Sequence, residues 1–183
     1  MKNSKFILKL AAILFAISFI CTLLLVLCNA LTEDRIALLK KEAENKAKTD
    51  VLPVAAAFED ADAKGVAEAY IGKDSGGNTV GYCFKTEPNG FGGKITMMVG
   101  IDKDGKVSGV KITNLSETPG LGAKVNDSNY LSQYRYQVGE MAFGDQVDAI
   151  SGATISSKAV LQAVNNATAA LETQLGIRGG QAQ

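Results

Sequence analysis

The side chains best suited to chemistry lie in one run, Asp148-Ala-Ile-Ser-Gly-Ala-Thr-Ile-Ser-Ser-Lys158, where hydroxyls and small residues open the most regular soluble helical pattern in the chain. From Ser156 onward, Val160, Ala163, Val164, Ala167 and Leu171 fall on one helical stripe, with Gln162, Asn165, Asn166 and Thr173 largely opposite. Thr154 or Ser156 is the expected N-cap and Gly176 the expected C-terminal stop. The first turn of such a helix carries unpaired N–H donors and the positive end of the backbone dipole, which together attract a phosphate or another anion. Gly152 and Ala153 leave the approach uncrowded. A hydroxyl-rich helix start alone is more often an ordinary capped surface helix.

Composition narrows the chemistry. The chain has 183 residues, formal net charge zero, 46% hydrophobic residues and no histidine. Without histidine there is no Ser-His-Asp or Cys-His mechanism and no H-E-x-x-H metal helix. Cys21, Cys28 and Cys83 lack C-x-x-C spacing, which removes iron–sulfur and structural zinc readings, so no metal site is expected. Basic and acidic residues are interleaved, and no nucleic-acid partner is expected. A hydrolase using Thr154 or Ser156 as nucleophile would have only Lys158 as its base, because the Ser-x-x-Lys arrangement fails at Ile155. A cofactor-free, membrane-tethered scaffold is a further reading. Otherwise the chemistry comes from a cofactor, with no catalytic triad in the chain.

Two motifs carry a family resemblance. Asp148-x-x-Ser-Gly-Ala-Thr-x-Ser resembles the flavinylation motif of the FMN-binding domain found in the G subunit of Rnf-type complexes and in the C subunit of Na⁺-translocating NADH:quinone reductase. Glu117-Thr-Pro-Gly-Leu-Gly-Ala123 is similar to the loop that lies near the flavin in that family, and the two motifs occur in the family's order.

The resemblance implies one covalent FMN per chain, a phosphoester to Thr154. Ser151, Gly152, Ala153, Ser156 and Ser157 would crowd or hydrogen-bond the phosphate, and Lys158 would help balance its charge. Glu117, Thr118, Pro119, Gly120, Leu121 and Gly122 would lie near the flavin, and Asp148 would be read by the attaching enzyme. That enzyme is a Mg²⁺-dependent flavin transferase that draws on FAD. The resemblance also implies a redox protein working with other membrane and soluble subunits in a ferredoxin:NAD oxidoreductase complex, a translocase that couples electron flow to Na⁺ or H⁺ transport. The short soluble part favours the Rnf-type G subunit over its quinone-reductase counterpart. Many relatives carry a histidine just before the Glu-Thr-Pro loop; here that position is Leu115, so no imidazole can tune the flavin.

The elements that must position these residues are legible in outline. After a cytoplasmic N-terminus (1–9), Leu10 to Cys28 is apolar apart from Ser18 and Thr22 and spans roughly 28 Å as a helix, near the hydrocarbon thickness. This predicts a transmembrane helix over 10–31, longer than the core of a cleaved signal peptide. Lys2, Lys5 and Lys9 precede it and Glu33, Asp34 and Arg35 follow, so a single-pass protein of the cell membrane is expected, anchored in lipid, N-terminus inside and soluble domain outside. A solvated connecting helix is expected over 32–53, ended by Pro53, then the soluble domain over 54–176 and a flexible tail over 177–183.

Within the domain, strands are predicted at Val66–Ile71, Thr79–Thr86, Lys94–Ile101 and Lys106–Thr113, with hairpin turns at Asp74–Asn78 and Asp102–Gly105. Asp102-x-Asp-Gly lacks the ligand spacing of a calcium loop. The fold class is therefore α+β, an antiparallel sheet packed on helices. Gly90-Phe-Gly-Gly93 reads as a plain loop, compatible with a backbone approach to a flavin edge. Tyr130, Tyr134, Tyr136 and Phe143 read as core, in a segment that includes a short helix.

Overall fold

The structure, a computed structural model, describes residues 2–175; Gly176 and the tail 177–183 lie outside the described residues. The chain divides into two compact units, Met1–Glu42 and Ala43–Gln183. One continuous helix, α1 (Lys2–Val51), makes up the described part of the first unit and supplies the opening turns of the second. It is long and apolar enough to cross a membrane. Every large apolar side chain from Phe6 to Leu31 is exposed, a surface that only a lipid or protein neighbour can cover.

The second unit is built on a five-stranded meander in the order β1-β2-β3-β4-β5, every neighbouring pair antiparallel. The strands are β1 (Ala57–Ala61), β2 (Glu68–Lys73), β3 (Thr79–Thr86), β4 (Ile95–Asp102) and β5 (Val107–Leu115). The α+β expectation holds, with one strand more than the four expected. Ala-Phe-Glu-Asp-Ala, strand β1, carries two acids and one partly buried aromatic, too little alternation to signal a strand; pairing with β2 decides it. The turn expectations hold as well. Asp74 Oδ1 accepts from the N–H groups of Gly76 and Asn78 at 2.8 and 2.9 Å, and Asp102 Oδ1 from those of Asp104 and Lys106, both at 2.9 Å.

A 3₁₀ turn (Gly122–Asn126) and a short helix α2 (Ser128–Ser132) follow β5. Helix α3 (Thr154–Leu175) closes one face of the sheet. All five residues of its expected stripe are buried, and they meet Phe84, Met97, Val99, Ile101, Val107 and Ile112. The helix begins at Thr154 and its first bond is taken by the Ala153 carbonyl, so Thr154 and Ser156 both lie inside the first turn and neither caps it. Of the four aromatics expected in the core, Tyr134 is fully buried and Tyr130 and Phe143 are half-buried against it. Tyr136 is instead exposed, with its backbone in the left-handed region, and it carries the Arg135 guanidinium 5.5 Å from its ring centre.

The opposite face is covered by the chain itself. Ala47, Val51 and Leu52, expected on a solvated connector, are buried; Ala47 and Val51 pack with Tyr70, Cys83 and Met98. Four glycines make this possible: Gly72 pairs with Gly81 and Gly100 with Gly109 across the strands, and a Cβ at any of them would run into Val51 or Leu52. Ser108 Oγ donates to the Val51 carbonyl at 2.6 Å. Strand β4 is thus buried on both sides, which explains its nearly unbroken apolar sequence. Burial pushes the Cys83 thiol up to about 12, so it is an inert packing group.

At the rim of that face, Lys85 Nζ lies 2.6 Å from Glu44 Oε1 and 2.9 Å from Glu68 Oε1, and Tyr70 donates its hydroxyl to Glu68. Lys48 Nζ sits 3.3 Å from the Tyr70 ring centre. The Tyr70 hydrogen bond, aided by Lys85, holds the Glu68 carboxyl below its ordinary value of 4.5. Burial works against the Lys85 charge, but the two carboxylates outweigh it and raise the ammonium above 10.5.

A depressed carboxylate contributes stability above its unfolded value and loses it as pH falls through the folded one; a raised ammonium contributes below its unfolded value and loses it as pH rises through the folded one. Stability from this network is therefore expected to be full between about pH 5 and 10 and to fall on either side. Urea melts of the full-length chain in detergent check this. Lys85→Met is expected to cost roughly 2 kcal/mol at pH 7 and to flatten the acid limb.

Candidate functional site

The Ser-Gly-Ala-Thr run and the Glu-Thr-Pro-Gly-Leu-Gly loop, separated in the chain by the whole of residues 123–150, face one cleft of about 380 Å³. Its walls are Phe91, Glu117, Thr118, Leu121, Gly122, Gly152, Ala153, Thr154, Ile155 and Ser156. Thr154, the first residue of α3, is exposed. Gly152 turns the chain into the helix at φ +79°, a left-handed conformation that a side chain would strain. The first N–H to find an acceptor within the turn is that of Ser157, bonded to the Ala153 carbonyl at 2.9 Å, which leaves the N–H groups before it without an i−4 partner in the helix. An anion held at Thr154 would sit against those donors and the positive helix end.

Glu117 forms the cleft's base. It is only 8% exposed; its Oε1 accepts from the N–H groups of Phe91 at 2.7 Å and Gly92 at 3.3 Å, and its Oε2 is buried with no partner among the described residues. A buried carboxylate oxygen without a donor is costly, which makes it an acceptor waiting for a hydroxyl or N–H. Around the mouth the character changes. Phe91, Leu121 and Ile155 are large apolar side chains exposed by 71, 53 and 52%, a concentration that suits a flat, apolar ligand.

Of the residues singled out in the sequence, Glu117, Thr118, Leu121, Gly122, Gly152, Ala153, Thr154 and Ser156 come together at the cleft. The others lie outside its walls. Pro119 and Gly120 shape the exposed turn, and Ser151 and Lys158 are exposed to either side of the helix start. Ser157 faces inward and accepts from the Ile150 N–H at 3.0 Å, so it fastens the approach to the helix. Asp148 is exposed; its N–H donates to Gln133 Oε1 at 2.7 Å and its carbonyl accepts from Gln133 Nε2 at 3.2 Å. Ser156 is 1% exposed, which leaves Thr154 as the accessible hydroxyl of the helix start.

Sequence reasoning missed Phe91 and Ile155. Phe91 sits in a glycine-rich loop with no alternating pattern, and its one signal is that a large aromatic between glycines has no core to enter. Ile155 falls off the buried stripe, where an aliphatic residue asks for some other cover.

Fold and cleft together define a class: an anion-receptive α+β binding domain on a chain that opens with a helix of membrane-spanning length. Residues 90–169 match the FMN-binding domain family and residues 1–51 match the RnfG N-terminal region. The chain is 37% identical to the G subunit of the ion-translocating oxidoreductase complex of Methanosarcina acetivorans, over 96% of this chain and 100% of that one. It is also 37% identical to the G subunit of the Na⁺-translocating ferredoxin:NAD⁺ oxidoreductase complex of Acetobacterium woodii, over 88% and 89%. Among solved structures, NqrC of Shewanella oneidensis is 21% identical, with a TM-score of 0.48 over 68% of this chain and 71% of that one. The chain belongs to the family of G subunits of ion-translocating oxidoreductase complexes.

Proposed function

We propose that the chain is a membrane-anchored electron carrier with one FMN joined through its phosphate to Thr154, acting within an Rnf-type ferredoxin:NAD oxidoreductase complex that couples electron flow to Na⁺ or H⁺ transport. The observation that carries this reading is the exposed Thr154 hydroxyl at the head of α3, over a cleft whose base holds an unpartnered acceptor and whose rim is apolar. The residues fit the group. The first-turn N–H groups suit its phosphate, Glu117 Oε2 suits a ribityl hydroxyl or a ring N–H, and Phe91, Leu121 and Ile155 suit the isoalloxazine. When bound, FMN supplies one- and two-electron chemistry that the side chains of this protein lack.

The chain's own part is to receive, hold and orient. In maturation by a Mg²⁺-dependent flavin transferase, the Thr154 oxygen bonds to the FMN phosphorus of FAD. The phosphoanhydride bond breaks, AMP leaves, and the hydroxyl proton is released. Asp148, exposed and six residues ahead, is available to that enzyme rather than to the flavin. The N-terminus lies in the cytoplasm and the domain outside, because Lys2, Lys5 and Lys9 flank the apolar stretch on one side.

The test uses full-length protein from cells that contain, or co-express, the transferase. The peptide carrying Thr154 is expected to gain the mass of FMN less one water, and the denatured band to fluoresce under ultraviolet light. An unmodified peptide and a dark band would reject the reading.

A further inference from the structure

Phe91 occupies the tip of a turn with little to hold it. Its side chain is 71% exposed, so packing does not set its place; the backbone does. The turn closes on itself through the Gly90 N–H, which donates to the Gly93 carbonyl at 2.8 Å, and through the bridge between Asn89 and Lys94. Its attachment to the rest of the domain is Glu117, whose Oε1 takes both the Phe91 and the Gly92 N–H.

Glycines on both sides make room for that carboxylate. A Cβ at Gly90 would overlap Oε1, one at Gly122 would overlap Oε2, and one at Gly92 would overlap the Ser116 carbonyl oxygen. Two loops far apart in sequence are therefore clamped on one buried acid. Ser156 Oγ would lie 2.9 Å from a Cβ at Gly122, so the same glycine also leaves room for the first turn of α3.

We propose that Glu117 is a positioning residue: by pinning the 90–93 turn through Oε1, it sets Phe91 against the cleft beside Thr154 and so fixes the orientation of the flavin ring. This rests on the reading of Thr154 as the FMN anchor. It goes beyond the expectation that Glu117 lies near the flavin, because this effect travels through Phe91. A pair of backbone N–H hydrogen bonds to a buried carboxyl oxygen holds such a turn far more firmly than an exposed ring can. Free in solution, the turn would sample many orientations, and Phe91 with it.

Two measurements separate this from a merely structural role. In protein made without the transferase, hydrogen exchange of the Phe91 and Gly92 amides is expected to speed up about ten-fold or more in Glu117→Ala, while Glu117→Gln, which keeps an acceptor oxygen, stays within about three-fold of the parent. Protection of β4 serves as the control for folding. Glu117→Asp, one methylene shorter, gives the same reading where the alanine variant unfolds.

In flavin-loaded protein, the induced visible circular dichroism per attached flavin is expected to fall in Phe91→Ala and at least as far in Glu117→Ala, which also loses Oε2. The double variant should be no worse than Glu117→Ala alone, and Glu117→Gln should rescue the signal. Unchanged exchange in both Glu117→Ala and Glu117→Asp, or optical losses that add in the double variant, would overturn the proposal. The exchange measurement needs no flavin, so a parent that fails to load rejects the Thr154 anchor without deciding the pin.

Discussion

Thr154→Val is expected to abolish covalent flavin completely while leaving the domain folded. Valine keeps the β-branched shape of threonine and loses only the hydroxyl oxygen, so the start of α3 is undisturbed and the phosphoester has no atom to form on. Because Thr154 is exposed and its side chain makes no hydrogen bond among the described residues, the change in stability should stay within about 0.5 kcal/mol. The gel fluorescence of the denatured chain should vanish, and the peptide containing residue 154 should carry no added mass. Thr154→Ser, which restores an oxygen at the same position, should restore measurable loading. Full loading of the valine variant would move the anchor to another hydroxyl. Ser151, exposed at the same helix approach, would then be examined before the buried Ser156 and Ser157.

Gly100→Ala is expected to be among the most damaging single-methyl changes in the second unit. A Cβ there meets Ser108 Oγ at 2.7 Å and the Val51 carbonyl carbon at 2.8 Å, and it overlaps the Val51 oxygen outright. The obstacles are mostly backbone, which cannot rotate away as a side-chain tip can, and the strand beneath is buried on both sides. Overpacking of this kind costs about 3 kcal/mol, equivalent to roughly 10 °C in Tm for a domain of this size. Gly76→Ala is the control. Its Cβ meets only the Asn78 and Asp74 side chains at 3.2 Å, and the expected change is within about 0.5 kcal/mol. Thermal unfolding of the two variants, read by circular dichroism in detergent, checks the contrast. Equal melting temperatures would mean that residues 51 and 52 do not lie against the sheet.

Legibility of the fold followed the strength of local patterning. The stripe of α3, the hairpin turns at Asp74 and Asp102 and the strand Thr79–Thr86 all rest on signals contained within ten or twenty residues, and each appears where the periodicity or turn chemistry put it. Strand β1 and the burial of Ala47, Val51 and Leu52 do not rest on such signals. The glycines at 72, 81, 100 and 109 were visible as letters. Their purpose, a surface without Cβ atoms for the end of α1, depends on a register that brings them side by side.

The candidate site divides along the same line. By itself the sequence determined that any redox chemistry must come from a cofactor, because histidine is absent and the cysteines are not spaced as ligands, and that a hydroxyl at a helix start is the natural place to hold a phosphate. Helical geometry and residue chemistry suffice for both. Only the tertiary structure decided that Thr154 is the accessible hydroxyl while Ser156 and Ser157 are buried, that Phe91 and Ile155 stand at the cleft's mouth, and that Glu117 ties the Phe91 turn down with one oxygen and leaves the other unpartnered. Those facts depend on which segments pack together across twenty-five or more residues of chain. Burial and hydrogen bonding between distant segments leave no periodic trace in either one.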